Sequence, residues 1–109
     1  MKNLSVGELG AANMLGALGS PVRLRVYKAL LRAGAQGMNV SELQLELGIP
    51  ASTLVHHLGT LVDAGLVGQE KRGRELICTA RYEEIRRLSA FLMAECCAGS
   101  KARRAGAAP

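Results

Sequence analysis

Residues 40–79 read VSELQLELGIPASTLVHHLGTLVDAGLVGQEKRGRELICT, and the fold follows from how this stretch is parsed. Residues 40–47 carry apolar side chains at helical spacing and stop at Gly48. Gly48-Ile49 makes a tight turn, and Pro50 opens a second helix over residues 51–64. Residues 66–79 then form two strands around Lys71-Arg72-Gly73, where glycine supplies the permissive backbone a hairpin turn needs. Two helices joined by a turn of this length, with a β-ribbon behind them, make a winged helix-turn-helix. Such a unit lays its second helix in the major groove of DNA.

The register of the second helix supports this. At about 100° per residue, Leu54, Leu58 and Leu61 fall on one side. Ser52, His56, Gly59 and Asp63 fall opposite, with Thr53 and Val55 on the rims. His57 lies about 60° from the apolar row. The blander alternative is an amphipathic helix whose polar face is only solvated. Against it stands the hairpin tip Lys71-Arg72-Gly73-Arg74, where Arg72 and Arg74 can neutralise phosphates beside the groove the helix enters.

Composition bounds the rest. A chain of 109 residues reads as one domain. Hydrophobic content of 49% with only 3% aromatics means a core of Leu, Val, Ile and Ala, which suits packed helices. A small domain with apolar helices at both ends often completes its core by dimerising. The net charge of +5 fits a polyanionic partner. No apolar run reaches the length of a membrane span, and MKNLSVGELG lacks the apolar centre of a signal peptide. The expected compartment is therefore cytoplasmic, where the three cysteines are reduced thiols. There is no His-carboxylate-nucleophile set and no phosphate loop, so an enzyme is not expected.

In chain order, Ser5 and Glu8 form an S-x-x-E capping box for helix α1, which runs to about Leu18 with Val6, Leu9 and Leu15 on one side. Gly7, Gly10 and Gly16 weaken it in isolation, so it needs a partner to lie on. Ser20-Pro21 opens α2, residues 21–33, which buries Val22, Val26, Tyr27 and Leu30 and stops at Gly34. Gln36-Gly37 belongs to a loop. Asn39 and Glu42 cap α3 (40–47), which leads into α4 (51–64) and the hairpin. Along the second wing strand Leu76, Cys78 and Ala80 alternate toward the core. Helix α5 follows over residues 82–97, with Ile85, Leu88, Ser89, Leu92 and Cys96 in one stripe. Residues 1–98 make the DNA-binding and dimerisation domain, and 99–109 a disordered basic tail.

Nearly the whole chain resembles the ArsR/SmtB family of bacterial metal- and metalloid-responsive repressors. The likeness is carried by Leu18-Gly19-Ser20-Pro21-Val22-Arg23-Leu24, by Ser52-Thr53-Leu54-Val55-His56-His57-Leu58 with Leu61 and Ala64-Gly65-Leu66-Val67, and by Gly73-Arg74. The resemblance implies a mainly α, winged helix-turn-helix homodimer, α1-α2-α3-α4-β-β-α5, paired through α1 and α5. It implies operator DNA as partner and release by an inducer. Ala51, Ser52, Thr53, Val55, His56 and His57 of α4, with Arg72 and Arg74 of the wing, are the expected DNA contacts. Where the family often has a serine N-cap, a glutamine and a second serine, this chain has Pro50, Ala51 and Val55, and its apolar groups reach only thymine methyls. The cysteines of the founding arsenic site correspond to Asn39 and Ser41. The zinc site on α5 needs histidines there, but the two histidines, His56 and His57, lie in α4.

The remaining sensor chemistry lies in the cysteines. Glu95-Cys96-Cys97 followed by Ala98-Gly99 resembles family members that sense trivalent arsenicals through C-terminal cysteines. Trivalent arsenic and antimony are soft acceptors that thiolates satisfy, so the expected inducer is a trivalent arsenical, with antimonite of the same class, and no permanent cofactor. Two thiolates match the valence of methylarsenite better than that of arsenite. Cys78 reads either as a small buried hydrophobe or as a third ligand. Cys96 lies some 14 residues past Tyr82, about 20 Å along a helix axis at ~1.5 Å per residue. A third thiolate is therefore more readily the partner subunit's. The alternative is a thiol-redox sensor using the same pair, which favours an intersubunit disulfide because neighbouring cysteines close only a strained ring.

Overall fold

A computed structural model describes residues 7–96. Its elements run α1 (Glu8–Leu18), α2 (Pro21–Ala33), a 3-10 turn (Gly34–Gln36), β1 (Met38–Asn39), α3 (Val40–Leu47), α4 (Ala51–Asp63), β2 (Val67–Arg72), β3 (Glu75–Ala80) and α5 (Tyr82–Ala94). Ser5, Val6, Cys97 and the tail over residues 99–109 lie outside the described residues.

Local chemistry sets most boundaries. The Ser20 hydroxyl accepts the Arg23 amide at 3.2 Å, with Pro21 in the first helical position. Asn39 and Glu42 close the expected reciprocal box on α3. Oδ1 of Asn39 accepts the Glu42 amide at 2.7 Å, and Oε1 of Glu42 accepts the Asn39 amide at 2.9 Å. Gly48 ends α3 in the left-handed conformation, φ 69°, returning its N–H to the Gln44 carbonyl.

The core orients α4. Leu54, Leu58 and Leu61 are fully buried against Val26, Tyr27 and Leu30 of α2, Leu43 of α3, and Leu66, Val67 and Cys78 of the hairpin. At roughly 2 kcal/mol per buried leucine, rolling α4 about its axis would forfeit all three. Tyr27 packs as a hydrophobe. Its hydroxyl has no hydrogen-bond partner among the described residues, and burial, with Tyr82 and Glu84 adding, raises its pKa to about 12. Tyr82 fastens the start of α5 to the end of α2, its hydroxyl donating to the Leu31 carbonyl at 2.7 Å.

The sheet is antiparallel in the order β1-β3-β2. β1 is an addition to the expected hairpin, pairing Met38 with Cys78 and Asn39 with Ile77. Its approach is so close that a Cβ on Gly37, φ +68°, would strike the Cys78 carbonyl. The same segment runs against the Ile77 side chain, which is why Ile77 is buried although it faces away from Cys78 and Ala80. Leu76, expected inward, is exposed near the tip.

Other expectations shift by a residue or a face. α1 begins at Glu8 with Gly7 as its N-cap and no side-chain cap, so Glu8 is the first helical residue, not the third of a capping box. Its core face is Ala11, Met14 and Ala17, while Leu9 and Leu15 are exposed. Val22 of α2 is exposed too, and Ala29 takes a place in the core. α4 stops at Asp63 with Ala64 as its C-cap. α5 stops at Ala94, short of residue 97; Leu88 is its buried residue, and Leu92 and Met93 are 47% and 67% exposed. Both terminal helices thus hold apolar side chains away from the chain's own core. No helix among the described residues is long and apolar enough to cross a membrane.

Candidate nucleic-acid interface

The outward face of α4 is built by its inward one. With Leu54, Leu58 and Leu61 locked in the core, Ala51, Ser52, Thr53, Val55 and His56 are exposed, Val55 by 55%. Pro50 is the N-cap and offers no side-chain acceptor to the first turn. The first-turn amides therefore keep their donors and the positive end of the helix dipole, both suited to an anion. Thr60 is turned back, its hydroxyl donating to the His56 carbonyl at 3.4 Å.

His57 differs from its neighbours. It is half-buried, and its Nδ1 lies 3.5 Å from Nη1 of Arg23 on α2. Arg23 also donates from Nε to the Ala17 carbonyl at 2.7 Å. Partial burial, then Arg23, then His56 hold the His57 pKa below the ordinary histidine value. The two histidine rings are 5.6 Å apart and tilted. His57, one of the expected DNA contacts, is seated at the side of α4, with Nδ1 toward Arg23 of α2. Arg23 is the residue that sequence reading passed over. It stands in the Leu18–Leu24 motif, but nothing local in that motif says that its guanidinium reaches α4.

The wing turns at Gly73-Arg74, the second half of the expected tip, with Gly73 at φ +67° and Arg72 paired to Glu75. Lys71 and Arg72 therefore lie in β2. Arg72 shares an exposed ion pair with Glu70 at 3.3 Å, so part of its charge is answered within the strand. Arg74, at the loop, is exposed and makes no ion pair with any described residue.

The two described thiols differ in their surroundings. Cys96 is exposed in the turn after α5, its amide bonded to the Met93 carbonyl at 3.0 Å. It is not on the helix, as the apolar stripe implied. Cys97 falls outside the described residues. Cys78 is fully buried, with the Gln69 amide 3.5 Å from its sulfur. Burial raises its pKa, an effect the Gln69 bond partly opposes, which favours the neutral thiol. Among the described residues no cluster of His, Cys, Asp and Glu is arranged to hold a metal ion.

Comparison with known proteins points the same way. A helix-turn-helix domain family matches residues 18–70, from the end of α1 into β2. An uncharacterised HTH-type transcriptional regulator of Methanocaldococcus jannaschii is 40% identical over 63 residues, covering 58% of this chain and 68% of that protein. An ArsR-like transcriptional regulator from Rhodococcus sp. RHA1 superposes with a TM-score of 0.74 at 25% identity, covering 88% of this chain and 85% of that one. A homodimeric winged helix-turn-helix DNA-binding domain from Mycobacterium bovis, described as a possible ArsR-family regulator, shares the fold. Its TM-score is 0.62 at 22% identity, covering 84% of this chain and 81% of that one.

Proposed function

This chain belongs to the ArsR/SmtB family of winged helix-turn-helix transcriptional regulators, and within that family we propose that it is a homodimeric repressor released from its operator by a trivalent arsenical. In this reading α4 enters the major groove with Ala51, Ser52, Thr53, Val55 and His56 toward the bases. Arg72 and Arg74 meet the flanking phosphates. The apolar groups Ala51 and Val55 favour thymine methyls over polar base edges.

The dimer is formed through α1 and α5. Leu9, Leu15, Leu92 and Met93 are apolar, exposed in the single chain, and carried by those two helices. The M. bovis domain of the same fold is described as homodimeric, which supports pairing as such.

The inducer site is Cys96 with Cys97. The observation that carries it is the position of Cys96: exposed, in the turn directly after α5, beside the apolar surface of Leu92 and Met93, with Cys97 next in sequence. Methylarsenite as the dihydroxide exchanges two As–O bonds for two As–S bonds, the thiols lose two protons, and two waters leave. The As–C bond is untouched. Arsenite has a third bond to fill, and buried Cys78 is poorly placed to supply it. Drawing two neighbouring sulfurs to one arsenic reshapes the turn that ends α5. That turn adjoins the dimer seam, and the seam sets the spacing of the recognition helices, which operator half-sites must match. By linkage, DNA and arsenical each weaken the other's binding.

The test is operator release followed by fluorescence anisotropy with methylarsenite, arsenite and zinc in parallel. Release by methylarsenite at the lowest concentration is expected. Release by zinc alone, or by a mild oxidant but no arsenical, would refute the assigned inducer, the oxidant result favouring a redox sensor.

A further inference from the structure

Arg23 joins three elements. Its Nε donates to the Ala17 carbonyl at the end of α1, and its Nη1 stands 3.5 Å from Nδ1 of His57 on α4. A guanidinium carries donors only and keeps its proton throughout the accessible pH range. The nitrogen facing it must therefore present a lone pair. A neutral imidazole has one N–H, so an accepting Nδ1 leaves the proton on Nε2. The imidazolium has a hydrogen on Nδ1 and would set two cations against each other across the same gap. The lowered pKa of His57 agrees with this. Arg23 on α2 and His56 on α4 are the charged or titratable groups that bear on the ring, and no carboxylate among the described residues pairs with it. Nε2 has no hydrogen-bond partner among the described residues.

We propose that Arg23 is a positioning residue for DNA binding: by occupying Nδ1 of His57 it fixes the ring as the neutral Nε2–H tautomer, so that α4 presents a hydrogen-bond donor to an operator phosphate oxygen. The proposal rests on α4 being the helix that meets DNA. A phosphate is the acceptor, not a base edge, because His57 sits at the side of α4 between its buried row and its outward face, where the backbone flanks the groove. Since the same guanidinium holds the Ala17 carbonyl, the donor on α4 is registered to α1 as well as to α2.

A double-mutant cycle tests this. Operator affinity is measured by fluorescence anisotropy, above neutral pH, for wild type, Arg23→Met, His57→Gln and the double variant. Glutamine keeps an N–H donor near the place of Nε2 and has no tautomer to fix. Arg23→Met alone should weaken binding by roughly three- to tenfold for each subunit of the dimer, the range of one ordinary hydrogen bond per half-site. His57→Gln should keep most of the affinity, and Arg23→Met added to it should cost little more. Equal losses in both backgrounds would make Arg23 only a brace for Ala17 and overturn the proposal, as would no loss in either. Long-range proton–nitrogen correlation of the His57 ring gives a second readout. Nε2 should be protonated and Nδ1 bare in wild type, and the ring of Arg23→Met should titrate at higher pH. An unchanged titration contradicts the proposal. Failure of wild type to bind any duplex would overturn the reading of α4 itself, and this inference with it.

Discussion

Replacing Arg74 with alanine isolates the wing from the rest of the DNA-binding surface. The residue is exposed at the hairpin loop and makes no ion pair with any described residue, so its loss leaves the core untouched. Arg72 is a poorer probe, because removing it also strands Glu70 at the same surface. If Arg74 meets one phosphate in each subunit, the dimer loses two contacts. Each neutralised phosphate contributes about −0.9 to the slope of log affinity against log salt on B-DNA, so the slope should become shallower by about 1.8. Over a fourfold rise in salt, wild type should then lose about twelvefold more affinity than the variant. The assay is anisotropy of labelled operator and of an unrelated duplex across a salt series, and the change in slope should be the same on both. An unchanged slope would remove the wing from the interface. A loss confined to the operator would make Arg74 a reader of bases.

Leu92→Glu places a charge on exposed apolar surface of α5, at the proposed seam; sedimentation should show monomer or aggregate without operator binding, and a DNA-competent dimer would take α5 out of the interface. Asn39→Ala removes one half of the α3 capping box and should cost about 1 kcal/mol in urea unfolding at fixed protein concentration; no change would mean that the α3 terminus is held by other contacts. Val55→Ser and Ala51→Gln put polar readers on the exposed face of α4 and should change which operator is selected from a random library, with little change in affinity for unrelated DNA.

What could be read in the sequence was what local chemistry fixes. The bounds of α3 follow from an Asn39–Glu42 box and a left-handed Gly48, signals contained within ten residues of chain. The inward row of α4 follows from the spacing of Leu54, Leu58 and Leu61 alone. β1 could not be read this way, because two residues have no period and their strand character comes from pairing with Cys78 and Ile77 far along the chain. The burial of Ile77 has the same origin. Leu15 and Val22 are apolar residues whose exposure depends on what covers α1 and α2, which no periodicity specifies. The Arg23–His57 contact spans 34 residues and joins elements that are not consecutive. In the thiol region the apolar stripe of α5 suggested a helix to residue 97. The helix ends at Ala94, in a stretch of small and polar residues where no capping side chain or proline marks the stop.

Whether Cys96 and Cys97 together turn arsenical binding into operator release is read from the anisotropy of labelled operator during titration with methylarsenite. Wild type, the Cys78→Ser variant and the Cys96→Ser, Cys97→Ser double variant should all bind the operator equally well before inducer is added. Wild type and Cys78→Ser should then release it, while the double variant stays bound at every concentration that empties wild type. Full release from the double variant would mean that Cys96 and Cys97 are not the inducer site.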